Sequence, residues 1–186
     1  MYKYRIEGGF PVKGKIRASG NKNAALPCIA ATLLTDEAVR LHNIPDIEDV
    51  QVLFKILETI GSEVKKTGKG SFEIKTSDIK KSELPPELAK KIRASILLAG
   101  PLVARAGRVS FSPPGGDVIG RRRLDTHFVA LSDLGARVET DGLFKLTTNK
   151  LVGRELFLDE ASVTATENAI MAAALAEGTT VIENAA

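Results

Sequence analysis

The sequence predicts an α/β fold assembled from a repeated unit of helices and strands, with one buried helix in each unit. Three observations lead there. Residues 57–64 and 131–138 place Leu, a branched apolar residue, Gly and Val at equal spacing (Leu57, Ile60, Gly61, Val64; Leu131, Leu134, Gly135, Val138). An Ala/Leu-rich helical stretch followed by a short β-like run occurs at residues 24–42, 93–112 and 166–183. The offsets set a period of about 70 residues, longer than the 20–50 of familiar solenoids.

The elements follow in order. Residues 4–7 and 15–18 read as strands lying outside the repeats, expected to pair with something beyond this chain. Residues 24–34 form the first Ala/Leu-rich helix, apolar nearly all round and therefore enclosed by the others. Residues 39–42 form its strand. After Asp46, the residues Val50, Leu53, Phe54 and Leu57 fall at helical spacing, and Gly61 stops that amphipathic helix. A hairpin turns at Gly68-Lys69-Gly70.

The second unit repeats this plan. Residues 93–104 form its buried helix and 108–112 its strand. Leu124, Phe128, Leu131 and Leu134 mark the amphipathic helix, closed by Gly135. Asp141-Gly142 is a type I′ hairpin signal. The third unit has a helix at 166–176 and a strand at 179–183, and the sequence then ends at Asn184-Ala185-Ala186. Its amphipathic helix and hairpin are absent, so the expectation is a truncated third unit, because half a unit leaves apolar faces uncovered.

Composition excludes several classes of function. Aromatic residues are 5% of the chain and Trp is absent, which argues against stacking platforms for single-stranded nucleic acid. A net charge of +3 is too small to predict nucleic-acid binding. The single cysteine, Cys28, excludes an internal disulfide and a Cys-rich metal site, and fits a reducing cytoplasm. It is expected to pack inside the first apolar helix as a small hydrophobe. No apolar leader or membrane span is visible, so a cytoplasmic location is expected. His42 and His127 lack partners at metal-ligand spacing, which favours structural roles and no metal.

Two stretches carry the chemistry. Residues 19–27 open the first buried helix. Gly20 permits a sharp backbone turn, free N–H groups follow, and Lys22 adds a full charge at the helix mouth. That is an anion site of the helix-terminus kind, or a solvated lysine preceding a helix. The second stretch, residues 112–123, holds Pro113-Pro114-Gly115-Gly116 and Gly120, a mobile cover able to close over a ligand. It also holds Arg121-Arg122-Arg123, for which a solvated charge run is the alternative reading.

The stretch Gly20-Asn21-Lys22-Asn23-Ala24-Ala25-Leu26-Pro27 resembles the signature of the UDP-N-acetylglucosamine 1-carboxyvinyltransferases, in the enolpyruvyl transferase family. The likeness continues through Arg93-Ala94-Ser95, Gly100-Pro101-Leu102-Val103-Ala104-Arg105, Pro114-Gly115-Gly116 with Ile119-Gly120, and Ala174-Leu175-Ala176-Glu177-Gly178-Thr179-Thr180. It spans the whole chain, and the Lys-Asn motif with the Gly-Gly loop is its most specific part. The resemblance implies an inside-out α/β barrel of repeated units with buried helices, here truncated. Residues 1–20 would be strands of a second, absent domain. Residues 21–186 would be the first domain, with three repeats of which the third is incomplete. The missing C-terminal domain would be the partner across an interdomain active site.

Residue by residue, the resemblance implies that Lys22 contacts phosphoenolpyruvate and Asn23 the sugar substrate. Arg93 falls at the arginine that binds phosphate and carboxylate, a duty suited to a planar two-pronged donor. Arg122 takes the place of an arginine on phosphoenolpyruvate. Arg123, Leu124 and Asp125 lie where the family holds uracil, with Arg123 replacing a usual Pro. Ser162, Val163 and Thr164 match the diphosphate and uridine side, with Thr164 replacing a common Gly. Asp117 stands where most members have a catalytic cysteine, alkylated by fosfomycin; some members carry Asp. As general acid it needs a pKa raised toward working pH. Loss of water would raise it, and Arg121 and Arg122 would lower it.

The implied reaction moves the enolpyruvyl group of phosphoenolpyruvate onto the 3′-hydroxyl of UDP-N-acetylglucosamine, the first committed step of peptidoglycan precursor synthesis. Lys22 and Asp117 would be catalytic, no cofactor is implied, and this fragment would not turn over alone. Partners would be these two small molecules, with neither nucleic acid nor membrane. Two alternatives stay open. One is the sister enzyme that makes 5-enolpyruvylshikimate 3-phosphate, although a Ser/Arg-rich sequel to its lysine is missing here. The other is a non-catalytic nucleotide-sugar-binding half-module.

Overall fold

The computed structural model describes residues 3–116 and 123–186. Helix α1 (Lys22–Ala31) runs into a 3₁₀ turn (Thr32–Leu34), followed by β1 (Val39–Leu41), α2 (Glu48–Ile60), β2 (Glu63–Gly68) and β3 (Ser71–Lys75). After the short α3 (Pro86–Ala89), a 3₁₀ segment (Arg93–Leu98) leads into α4 (Ala99–Ala106), then β4 (Arg108–Phe111), α5 (Asp125–Asp133), β5 (Arg137–Glu139) and β6 (Phe144–Thr147). The last elements are β7 (Glu155–Phe157), α6 (Val163–Ala173) and β8 (Val181–Glu183).

Sheet topology displays the repeat. Both three-stranded sheets are antiparallel and have the same order, β1-β3-β2 and β4-β6-β5. The third unit contributes α6 and β8. It pairs β8 in parallel with β7, an element the sequence reading missed. The second unit has a counterpart one residue long, where Glu83 bridges Ser110 of β4 in parallel.

Burial explains why these segments form these elements. In α2 the seven buried residues recur at helical spacing, the acidic Glu48 and Asp49 sit in the first turn, and Gly61 takes φ +120° at the end. A negative first turn complements the helix dipole, and such a φ is open chiefly to glycine. Ile29, Leu33, Leu53, Ile56, Leu57, Ile60, Ile74, Leu97 and Leu98 are fully buried. Each such side chain contributes roughly 1.5–3 kcal/mol through loss of apolar contact with water.

Several expectations need correcting. Residues 3–20 form no strand, and Tyr4 is 92% exposed; a strand without a hydrogen-bonding neighbour has nothing to hold it. The α1 helix is not enclosed all round: Ala24 and Cys28, four residues apart on one face, are exposed. The second unit's long helix begins as 3₁₀ and becomes α only at Ala99. Pro101 lacks the N–H that a continuous α-helix from Arg93 would require, yet fits the first turn of a new one. Asp141-Gly142 does not form a type I′ turn. Gly142 has φ +71°, while the positive-φ non-glycine residues among those described are Asn43 and Asn184, and a type I′ turn needs both central residues there.

Candidate functional site

The N-terminal ends of the buried helical segments meet at one cleft of about 770 Å³. Lys22, Asn23, Arg93, Val163 and Thr164 all line it, drawn from the starts of α1, the 3₁₀ segment and α6. Lys22 and Arg93, 71 positions apart, therefore line the same cleft rather than opposite faces of the molecule.

Local sequence chemistry sets each side chain. Asn21 caps α1 by accepting a hydrogen bond from the Ala24 N–H at 3.0 Å, leaving Lys22 as the first helical residue. Pro27 has no N–H to offer the Asn23 carbonyl, so α1 has a gap in its hydrogen-bond ladder on the cleft side. Gly20 is not among the glycines with positive φ. Its role is close approach, since a Cβ there would lie 1.7 Å from the Asn43 carbonyl oxygen.

Charge in the described lining is balanced rather than purely positive. Lys22, Lys91 and Arg93 share the walls with Glu48, Asp49 and Glu167. Lys22 Nζ lies 2.5 Å from Asp49 Oδ2, so the first turn of α2 holds the ammonium in place. Burial raises the pKa of Glu167 above its ordinary value. Asp49 and Glu167 escaped the sequence reading; Asp49 was signalled only by its place in the first turn of an amphipathic helix.

Arg93 Nη2 donates to the Arg123 carbonyl at 2.9 Å, which ties the segment leading into α5 to the cleft wall. The Arg123 side chain turns elsewhere. Its Nε pairs with Asp125 at 3.0 Å and its Nη2 with Asp159 at 2.9 Å. The Thr126 hydroxyl donates to Asp159 at 2.6 Å; that bond, with Arg123 beside it, holds the Asp159 carboxyl below its usual range. Leu124 packs partly buried against the core. Thus Arg123, Leu124 and Asp125 adjoin the cleft without their side chains lining it. Ser162 caps α6 through its hydroxyl oxygen, which accepts from the Ala165 N–H at 3.4 Å. Asp117 and Arg122 lie outside the described residues. In the stretch before them Gly116 lines the cleft, and a Cβ on Gly115 would lie 1.6 Å from the Lys90 carbonyl oxygen.

Behind the cleft, His127 is 1% exposed, and burial followed by the nearby Arg93 charge lowers its pKa to about 4. It is neutral at physiological pH and adds no charge to the wall. Among the described residues no group of three or more His, Cys, Asp or Glu could hold a metal ion, and no helix is long and apolar enough to cross a membrane.

Comparison with known proteins agrees with this geometry. The family model for EPSP synthase (3-phosphoshikimate 1-carboxyvinyltransferase) matches residues 6–186. The chain is 62% identical over 186 residues to UDP-N-acetylglucosamine 1-carboxyvinyltransferase of Treponema denticola, covering all of this chain and 44% of that protein. It is 60% identical over 183 residues to the enzyme of the same name from Treponema pallidum, covering 98% of this chain and 43% of that one. The chain thus spans less than half the length of these relatives. Among solved structures, the enolpyruvyl transferase NikO from Streptomyces tendae matches with a TM-score of 0.78 at 26% identity, over 94% of this chain and 41% of that one. EPSP synthase from Acinetobacter baumannii matches with a TM-score of 0.71 at 18% identity, over 91% and 40%, and so shows the shared fold. Repeat topology, the Lys-Asn helix start and a family match over nearly every residue together establish that the chain belongs to the EPSP synthase family of enolpyruvyl transferases.

Proposed function

We propose that this chain is the N-terminal part of a transferase that moves the enolpyruvyl group of phosphoenolpyruvate onto the 3′-hydroxyl of UDP-N-acetylglucosamine. The observation that carries the reading is the convergence of Lys22 and Arg93, from separate stretches, on one cleft at helix N-termini. Relatives 60–62% identical bear that activity in their names. Residues 1–20 would pair with a second domain that completes the cleft.

In this reading Lys22, Arg93 and Arg122 hold the phosphate and carboxylate of phosphoenolpyruvate, and their charges act more strongly as water leaves. Binding makes Lys22 exchange part of its pairing with Asp49 for the anion. Asn23 contacts the sugar, while Ser162, Val163 and Thr164 lie on the nucleotide side with Arg123, Leu124 and Asp125. The 3′-hydroxyl oxygen bonds to C2 as Asp117 delivers a proton to C3 and a base in the second domain takes the hydroxyl proton. Cleavage of the C2–O bond then releases phosphate, and loss of a proton from C3 restores the double bond. The product would enter peptidoglycan precursor synthesis, and hence growth, cell shape and division, in the cytoplasm where both charged substrates reside.

Turnover by the full-length protein tests this. Phosphate release should require both substrates, and shikimate 3-phosphate should not replace the nucleotide sugar. Fosfomycin, an epoxide that alkylates a thiol, should leave the Asp117 enzyme active and inactivate Asp117→Cys. Equal, tight inhibition of both forms would overturn the assignment of that loop. Release driven by shikimate 3-phosphate would transfer the reading to the sister enzyme.

A further inference from the structure

The buried wall of the cleft contains a hydrogen-bonded chain whose polarity can be read off. Asn168, fully buried in α6, accepts through Oδ1 from the Gly100 N–H at 2.7 Å. Its Nδ2 is therefore the amide nitrogen. It donates to the Ile96 carbonyl at 2.9 Å and lies 2.8 Å from His127 Nδ1. A donor facing Nδ1 requires that nitrogen to accept, which puts the imidazole proton on Nε2. Nε2 lies 3.1 Å from Thr164 Oγ1, so the hydroxyl oxygen accepts from the imidazole. Its own hydrogen must point elsewhere. Thr166, two residues further along α6, offers a contrast, donating its hydroxyl hydrogen to the Ser162 carbonyl at 2.9 Å. Thr164 sits in the first turn of α6 and lines the cleft.

We propose that Asn168 and His127 are positioning residues that turn the Thr164 hydroxyl hydrogen away from the histidine and make it a hydrogen-bond donor to a phosphate oxygen of the ligand in the cleft. The inference rests on the transferase reading for its ligand and on the Asn168–His127–Thr164 geometry for its polarity. Where the family commonly has Gly, this chain supplies a hydroxyl oriented from behind. Gly100 is what admits the arrangement, since a Cβ there would lie 2.5 Å from the Asn168 carbonyl oxygen and 2.8 Å from Oδ1. The neutral imidazole suits its place, because a charged one beside Arg93 would be repelled and would also confront the Asn168 amide with a second donor. The phosphate oxygen could belong to phosphoenolpyruvate or to the diphosphate of the nucleotide sugar, and the titrations below separate the two.

Two measurements on the full-length protein test it. The ¹⁵N chemical shifts of His127 at neutral pH should show the neutral Nε2–H tautomer; the Nδ1–H tautomer or an imidazolium would overturn the proposal. Calorimetric titration of Thr164→Val should show binding weakened by about tenfold, the size of one hydrogen bond to a charged oxygen. Thr164→Ser should restore it to within about twofold. Loss confined to UDP-N-acetylglucosamine assigns the diphosphate, and loss confined to phosphoenolpyruvate assigns its phosphate. His127→Leu should cost only about 1.5-fold, because the freed hydroxyl regains the one staggered position of three that the imidazole N–H closes to its hydrogen, whereas His127→Gln, whose amide reaches the Nε2 position, should recover it. Unchanged affinity for both ligands in Thr164→Val would refute the donor role while leaving the transferase reading intact. Absence of binding by the unaltered protein would refute the transferase reading and with it the ligand named here.

Discussion

Replacing Arg105 by leucine should loosen the joint between the first two repeats. Arg105 lies in the last turn of α4, and its guanidinium donates to four backbone carbonyls. Nη1 reaches Leu33 at 2.9 Å and Thr35 at 2.7 Å, where the first unit's helix ends; Nη2 reaches Thr76 and, at 3.0 Å, Ser77, where β3 ends. One side chain thus ties three chain segments through the planar geometry that only arginine offers. Four bonds from a charged donor, each worth about 1 kcal/mol after allowance for partial exposure, sum to about 3–4 kcal/mol for Arg105→Leu. Arg105→Lys keeps the charge but cannot span four acceptors, and should cost about 2 kcal/mol. Urea denaturation of the full-length protein measures this. With a slope near 2 kcal/mol per molar, the midpoint of this domain should fall by about 1.5–2 M in Arg105→Leu, with the slope unchanged. A fall of less than about 0.3 M would refute the view of Arg105 as a joint.

Two further outcomes follow from the buried helices. Gly100→Ala should destabilise by about 2–4 kcal/mol, since the methyl drives α4 from α6 and disturbs the bond from Gly100 to Asn168; a melting temperature equal to the unaltered protein's would contradict it. His127 should shape the acid limb of stability. The unfolded imidazole takes a proton near pH 6.5 and the folded one near 4, so stability present above 6.5 is lost between those values, by roughly 3 kcal/mol. His127→Gln should flatten that part of the curve, and an unchanged acid limb would show that His127 is not held neutral.

Much of the fold was legible because periodicity states which face is buried. Val50, Leu53, Phe54 and Leu57 announced α2, and all four are buried. Residues 57–64 and 131–138 announced two units that have the same strand order. What stayed hidden depended on neighbours distant in sequence. Ala24 and Cys28 look like core residues until the helices are placed, and then both are exposed on one face of α1. The β7 strand is three residues long and exists through its parallel pairing with β8. In the site, Lys22 and Arg93 were legible from residue type and position at helix starts. The pairing of Lys22 with Asp49 was not, since no spacing rule joins them, and neither was the Asn168–His127–Thr164 chain, which brings α6 onto a histidine 37–41 positions earlier. The pairing of the Arg123 guanidinium with Asp125 and with Asp159, a carboxylate 36 positions away, had no signal in the spacing either.

The most direct test of a shared anion between Lys22 and Arg93 is a double-mutant cycle in the full-length protein. Phosphoenolpyruvate would be titrated calorimetrically, with saturating nucleotide sugar, into Lys22→Met, Arg93→Met, the double variant and the unaltered form. Each single change should weaken binding at least tenfold, and together they should weaken it by less than the product, with a coupling of about 1 kcal/mol or more. Losses that multiply to within about 0.3 kcal/mol of independence, or a single variant that binds as tightly as the unaltered protein, would mean that the two cations do not grip the same ligand.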